Sequence, residues 1–207
     1  TVYEHAMVGV NGAVAIGLHR WAGWRLVALA GICATLPDWD GLTILLGGGY
    51  YAQGHRIWGH NLLVSALSAA LLSVVLYRFD GLGAVRRWIA SRWSGVPGEP
   101  QASSCEPSWR RCGVWVAVAV AASFSHLAFD TAYSTGRNLS DWGVPLGWPF
   151  TERVWIFRSA PWGDVGATVI LAAAMFAMLR WPLRSQWVAA GSLALVIGYV
   201  LLRAALR

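Results

Sequence analysis

Two carboxylates and two imidazoles fall within 25 residues of an otherwise apolar chain. Asp38 and Asp40 stand in Leu36-Pro37-Asp38-Trp39-Asp40, and His55 and His60 in His55-Arg56-Ile57-Trp58-Gly59-His60. An Asp-x-Asp followed by His-x4-His brings hard oxygens and borderline nitrogens together, which is metal-ligand chemistry. Further along, His126 and Asp130 are i and i+4, so on a helix they share a face. His5 opens the first apolar stretch. The candidate ligands are therefore His5, Asp38, Asp40, His55, His60, His126 and Asp130.

Each of these has a plainer reading when taken alone. Asp38 and Asp40 suit a turn and helix cap after Pro37. His126 with Asp130 suits a buried imidazole oriented by a carboxylate. His55 and His60 are five apart and do not align on one helical face, so one belongs to a lead-in loop and the other to a first helical turn. The joint pattern is stronger than any member, because it takes four of the five histidines in the chain.

The elements that must position these residues are membrane helices. The chain has 207 residues, of which 57% are hydrophobic and 13% charged. Ordinary soluble domains carry about 25% charged residues. With long apolar runs and a positive mean hydropathy, the composition indicates a polytopic helical membrane protein. In that setting an ionisable side chain is expensive and points to function. The formal charge is +6, and all 16 basic residues are arginine. They cluster beside apolar runs, as membrane topology requires, and this argues against nucleic acid as a partner.

Residues 5–18 form a first helix dense in glycine and alanine, a composition that lets helices approach closely. Residues 24–36 form a second, which Pro37 ends. Residues 41–51 are too short to cross and read as a half-helix or re-entrant piece, tolerated only inside protein or beside a wet cavity. Residues 62–77 and 113–132 are further spans. Residues 78–112 form a basic, flexible loop that includes an amphipathic helix over 83–93. Residues 133–162 form an aromatic loop of interfacial character. Residues 165–179 and 187–202 are scaffold spans, with Asp164 as an N-cap. Cys33 reads as a packed small residue, and Cys105 and Cys112 fit no zinc spacing. The first residues lack the basic start of a cleaved signal peptide. The expectation is an all-α bundle of about six helices, some short or re-entrant, forming one domain over 1–207.

Positive charge marks the cytoplasmic side. With the 78–112 loop inside, Arg20, Arg25, Arg180 and Arg184 also fall inside, and all seven candidate ligands fall outside. His19 lands inside, away from them. Arg203 and Arg207 run against this topology.

Seven ligands suit two metal ions sharing a carboxylate, with positions open to water; such a pair activates water and stabilises charge on an attacked phosphoryl or carbonyl group. Zinc is the first expectation, with Mn2+ or Fe2+ as alternatives. Asp38, Asp40 and Arg56 are the candidate catalytic residues. Arg56 could clamp an anionic oxygen or serve as an interfacial anchor. Arg56, Trp148 and Phe150 are the candidate substrate contacts, and Glu4 is a minor candidate beside His5.

These residues resemble a family of bacterial inner-membrane proteins described as metal-dependent hydrolases and once as LexA-binding. That family's pattern is an early His, Leu-Pro-Asp-x-Asp, His-Arg-x3-His, His-x3-Asp and a Gly-Pro-Leu-Trp-Pro-Phe-like loop. Here these are His5, Leu36 to Asp40, His55-Arg56 with His60, His126 to Asp130, and Gly143 to Phe150. Asn61 departs from the small hydroxyl residue expected after His60. The resemblance implies a metal hydrolase and leaves its substrate open. The order of His and Asp is also similar to zinc-dependent phospholipases C, by analogy alone. The resulting expectation is an inner-membrane hydrolase facing outward, cleaving a lipid or lipid-linked phosphoester first and an amide or acyl ester second. The rival is a transporter or metal-handling protein, which usually places its site at the midplane between inverted repeats. Haem ligation is disfavoured by the three Asp.

Overall fold

In the computed structural model, residues 2–93, 108–135, 142–161 and 163–206 are described. The helices are α1 (Val2–Ala15), α2 (Leu18–Trp21), α3 (Trp24–Cys33), α4 (Gly48–Gly54), α5 (Leu62–Arg78), α6 (Gly81–Arg92), α7 (Trp109–Ala132), α8 (Gly166–Arg180) and α9 (Ser185–Ala205). Two 3-10 segments, Leu36–Leu46 and Pro182–Arg184, complete the order. Among the described residues only isolated bridges occur, so the protein is an all-α bundle.

The six expected spans correspond to α1, α3, α5, α7, α8 and α9. Their lengths differ from the expectation. Among the described residues, only α7 and the stretch Pro182–Ala205 are long and apolar enough to cross a membrane as single helices. The number rises to four if α3 with the following 3-10 segment, and α5 with α6, each count as one bent span. The expected half-helix after Asp40 is the 3-10 segment plus α4. The described parts of the basic loop are largely helical: α6 fills Gly81–Arg92, and α7 already begins at Trp109. Its Pro/Gly/Ser-rich centre, Cys105, Asp141 and Trp162 lie outside the described residues.

Small side chains draw the bundle together. A Cβ on Gly9 would stand 2.4 Å from the Ala30 carbonyl, so α1 lies directly on α3. One core joins Leu26, Leu29 and Ala30 of α3 to Ala69 of α5 and Ala119 of α7. A second joins Ala167 and Leu171 of α8 to Val196 of α9 and Tyr133. Leu67, Leu71, Phe176 and Leu195 stay exposed, as lipid-facing residues do.

The two ends differ in chemistry. At one end Arg25 and Arg87 each pair with Asp80 at 2.8 Å, fixing α6 to the start of α3. There too Gln186 donates to the Ala15 carbonyl, and His19 meets Ser185 at 3.4 Å. His19 is thus at the opposite end of α1 from His5, as expected. The 14 residues of α1 separate the two ends by about 21 Å. The candidate ligands gather at the other end.

Candidate metal centre

Asp38 and Asp40 sit in the 3-10 segment that Pro37 opens. Such a helix has three residues per turn, so residues two apart point in different directions. The carboxylates accordingly do different things. Asp40 is fully buried and accepts three hydrogen bonds: from His55 Nδ1 at 2.8 Å, His60 Nδ1 at 2.8 Å and the Gly59 amide at 2.9 Å. Asp38 faces the other edge of His60. A Cβ on Gly59 would lie 2.0 Å from the Pro37 carbonyl, so this approach excludes any side chain there.

With the His60 Nδ1 proton committed to Asp40, Nε2 is the ring atom left to face the rest of the cluster. That atom lies 3.4 Å from Asp38 Oδ1, 3.3 Å from Asp130 Oδ2 and 3.2 Å from His126 Nε2. His126 is fixed in the same way: its Nδ1 donates to the Ala34 carbonyl at 2.8 Å, leaving Nε2 to face Asp38 at 3.6 Å and Asp130 at 3.7 Å. The i, i+4 pairing on α7 holds. His5 stacks on His126 with 3.6 Å between ring centroids, and its Nε2 is 3.3 Å from Asp130 Oδ1. The His5 Nδ1 is buried without a hydrogen-bond partner.

The spacing separates two kinds of contact. Donors held 2.0–2.1 Å from a tetrahedral zinc ion stand roughly 3.4 Å apart. Five of the six separations among the donor atoms of Asp38, His60, His126 and Asp130 run from 3.2 to 3.7 Å. The contacts around Asp40, at 2.8 and 2.9 Å, are hydrogen-bond lengths. Charge leads the same way. Asp38, Asp40 and Asp130 bring three negative charges, and Arg56 brings one positive charge. The remaining two need imidazolium protons or a divalent cation, since an unbalanced buried charge is costly. The donor set therefore fits a divalent ion. Three groups of donors are close enough to hold one: His5 with His126 and Asp130; Asp38 with His60 and His126; and Asp40 with His55 and His60.

Arg56 is buried, with left-handed backbone at φ 62°. Its guanidinium lies 3.1 Å from Asp130 Oδ2, donates to the Trp142 carbonyl at 2.6 Å and stacks over the Trp142 ring at 5.0 Å. It is a buried tie within the site and not an interfacial anchor. His55 is packed between Tyr51 at 4.6 Å and Trp142 at 5.2 Å. Among the described residues no hydrogen bond or ring contact joins Trp148 or Phe150 to the cluster, and Phe150 is 83% exposed. Among the described aromatics of that loop, Trp142 reaches it. Glu4 turns away and accepts from Thr168 of α8. Asn61 caps α5 by accepting from the Val64 amide, and donates to the Ile57 and Trp58 carbonyls. The departure at this position therefore keeps the His60 loop tied.

Sequence reading passed over three contributors: Gly59, Tyr51 and Trp142. The glycine beside His60 was a usable signal. Trp142 is 86 residues from Arg56, and nothing local announces it.

Fold and site together define a helical membrane protein with a buried His/Asp centre near one end of its bundle. The chain belongs to the YdjM inner membrane protein family, whose profile covers residues 1–207. This places it in the bacterial inner membrane. Neither the curated proteins nor the solved structures give a match to this chain.

Proposed function

We propose that the protein is a metal-dependent hydrolase of lipid or lipid-linked substrates, with a phosphoester as the first bond class and an amide or acyl ester as the second. The observation that carries this reading is the meeting of two imidazole Nε2 atoms among carboxylates. His60 Nε2 and His126 Nε2 lie 3.2 Å apart, both with their other nitrogen already donating, and carboxylate oxygens adjoin them. A cation among them would answer the carboxylate charge that Arg56 leaves over.

His5, Asp38, His60, His126 and Asp130 would hold the ion, with zinc first and Mn2+ or Fe2+ as alternatives. The Asp40, His55 and His60 group is already closed by hydrogen bonds, and the two groups that are left share His126, so one ion between them is the reading favoured over two. A divalent ion supplies Lewis acidity and lowers the pKa of water. Asp38 is the most open of the carboxylates, with its side chain 21% exposed, so water and substrate approach beside it. Asp40 orients His60, and Arg56 holds Asp130 while keeping guanidinium donors at the edge of the site. Beneath the cluster Leu29, Ala30, Ala69 and Ala119 pack together, with Ser65 and Ser123 buried between them and the site.

Arg20, Arg25, Arg78, Arg86, Arg87, Arg180 and Arg184 belong to the opposite end, which supports an outward-facing site. A cysteine in place of Glu152 should react with an impermeant thiol reagent on intact cells, and one in place of Arg87 should not. The function is tested on purified protein by metal analysis with a phospholipid hydrolysis screen. About one divalent ion per chain and metal-dependent cleavage are expected, both lost in Asp38→Asn. Metal transport into reconstituted vesicles without any hydrolysis would overturn the enzyme.

A further inference from the structure

The stripe of α1 that begins with His5 does not end at the metal centre. At helical spacing it continues through Val8, Gly9, Gly12, Ala13 and Ile16, one face over three turns. The stripe of α7 that carries His126 continues likewise, away from Asp130, through Ala122 and Val118, with Ser125, Ala121 and Ala117 beside it. Between the two stripes lies an apolar cavity of about 480 Å³, floored by Ala30 and flanked by Leu193 of α9. Its upper wall, at Val8 and Ser125, is one turn or less from the stacked His5–His126 pair. Its outer rim, at Ala117, Ala121 and Ile16, is exposed. The groove thus ends against the buried His5–His126 pair, and His5 buries an Nδ1 that no protein group satisfies.

We propose that this groove holds one acyl chain of a membrane glycerolipid whose head group lies at the His/Asp cluster. The proposal rests on the hydrolase reading for the fate of the head group, but occupancy of the groove can be measured without it. Two arguments select the occupant. A molecule that fills both ends must be polar at one end and aliphatic over the run from Val8 to Ile16, about 12 Å of helix. The groove borders α7, which is long and apolar enough to span the membrane, so lipid chains are the molecules at its rim. Glycine and alanine lining would normally mark close helix packing. Here Gly12 has no neighbour within 4 Å of the position its Cβ would take, so the space has been left open.

That open position supplies the test. Gly12→Leu places a side chain in the groove without backbone strain, and Ala121→Phe does so from the opposite wall if the first variant fails to fold. Wild type and variants are reconstituted in phosphatidylethanolamine vesicles containing a photoactivatable diazirine on one acyl chain, then irradiated, digested and mapped. In the wild type the label should concentrate on residues 8–16 of α1 and 117–125 of α7. The variants should lose most of that label and keep wild-type metal content. Label spread evenly over α8 and α9 as well, or unchanged in both variants, would reduce the groove to ordinary boundary lipid and overturn the proposal. Cross-linking between two copies through these residues would also overturn it, in favour of a dimer contact. Groove-specific labelling in a protein that hydrolyses nothing would leave the groove standing and sink the hydrolase.

Discussion

Asp164 and Asp130 lie at the same end of the bundle with side chains about equally buried, yet they are surrounded in opposite ways. Asp164 accepts from the Gly166 amide at 2.9 Å and the Tyr199 hydroxyl at 2.5 Å, and pairs with Arg203 at 3.0 Å. Its charge is answered by the protein and it staples α8 to α9. Asp130 has one cation, Arg56, and otherwise faces imidazole edges. Asp38 faces imidazole edges alone. The same contrast recurs over two residues of chain, since Asp40 is satisfied as Asp164 is. Burial does not separate a structural carboxylate from a ligand. What separates them is whether the atoms around it are donors or acceptors.

This contrast can be broken or sharpened by substitution. The largest effect is expected from Asp38→Asn or His126→Ala, which should abolish metal binding while the protein still folds. Wild type with ion at a hundred times its Kd should gain about 2.7 kcal/mol in detergent unfolding, and these variants should gain nothing. Asp164→Asn should do the reverse, lowering stability by about 1–3 kcal/mol with metal content unchanged. If Asp164→Asn also empties the site, the two carboxylates are not distinct in kind. Asp40→Asn should fall between them: equilibrium competition with a chelator should show metal affinity reduced by roughly 10–100-fold, because His60 loses its orienting acceptor. The smallest effect is expected from Asn61→Ala, about 1 kcal/mol of thermal stability from the lost α5 cap. A larger loss of metal there would show that the cap also positions His60.

Much of this was legible from residue type. The apolar runs located six helices, and the His and Asp residues named the cluster, because in an oily chain few other places exist for them. Arg203 stood against the topology in sequence, and its pairing with Asp164 explains why an arginine is tolerated at that end. The division of labour between Asp38 and Asp40 was not legible. It depends on a segment with three residues per turn, and nothing in Leu-Pro-Asp-Trp-Asp distinguishes that winding from an α-helix or a turn. Arg56 was read as a free clamp because its partners, Asp130 and the Trp142 carbonyl, are far along the chain. Trp148 and Phe150 were named for aromatic character, which marks an interfacial loop but not the ring within it that touches the site.

The dispersal of the donors along the chain has a consequence for biosynthesis. His5 is carried by α1, Asp38 by the 3-10 segment, His60 by the loop before α5, and His126 and Asp130 by α7. The donors at positions 5, 38 and 60 must therefore wait for α7 to deliver the other two. The centre assembles late, from parts that enter the bilayer separately.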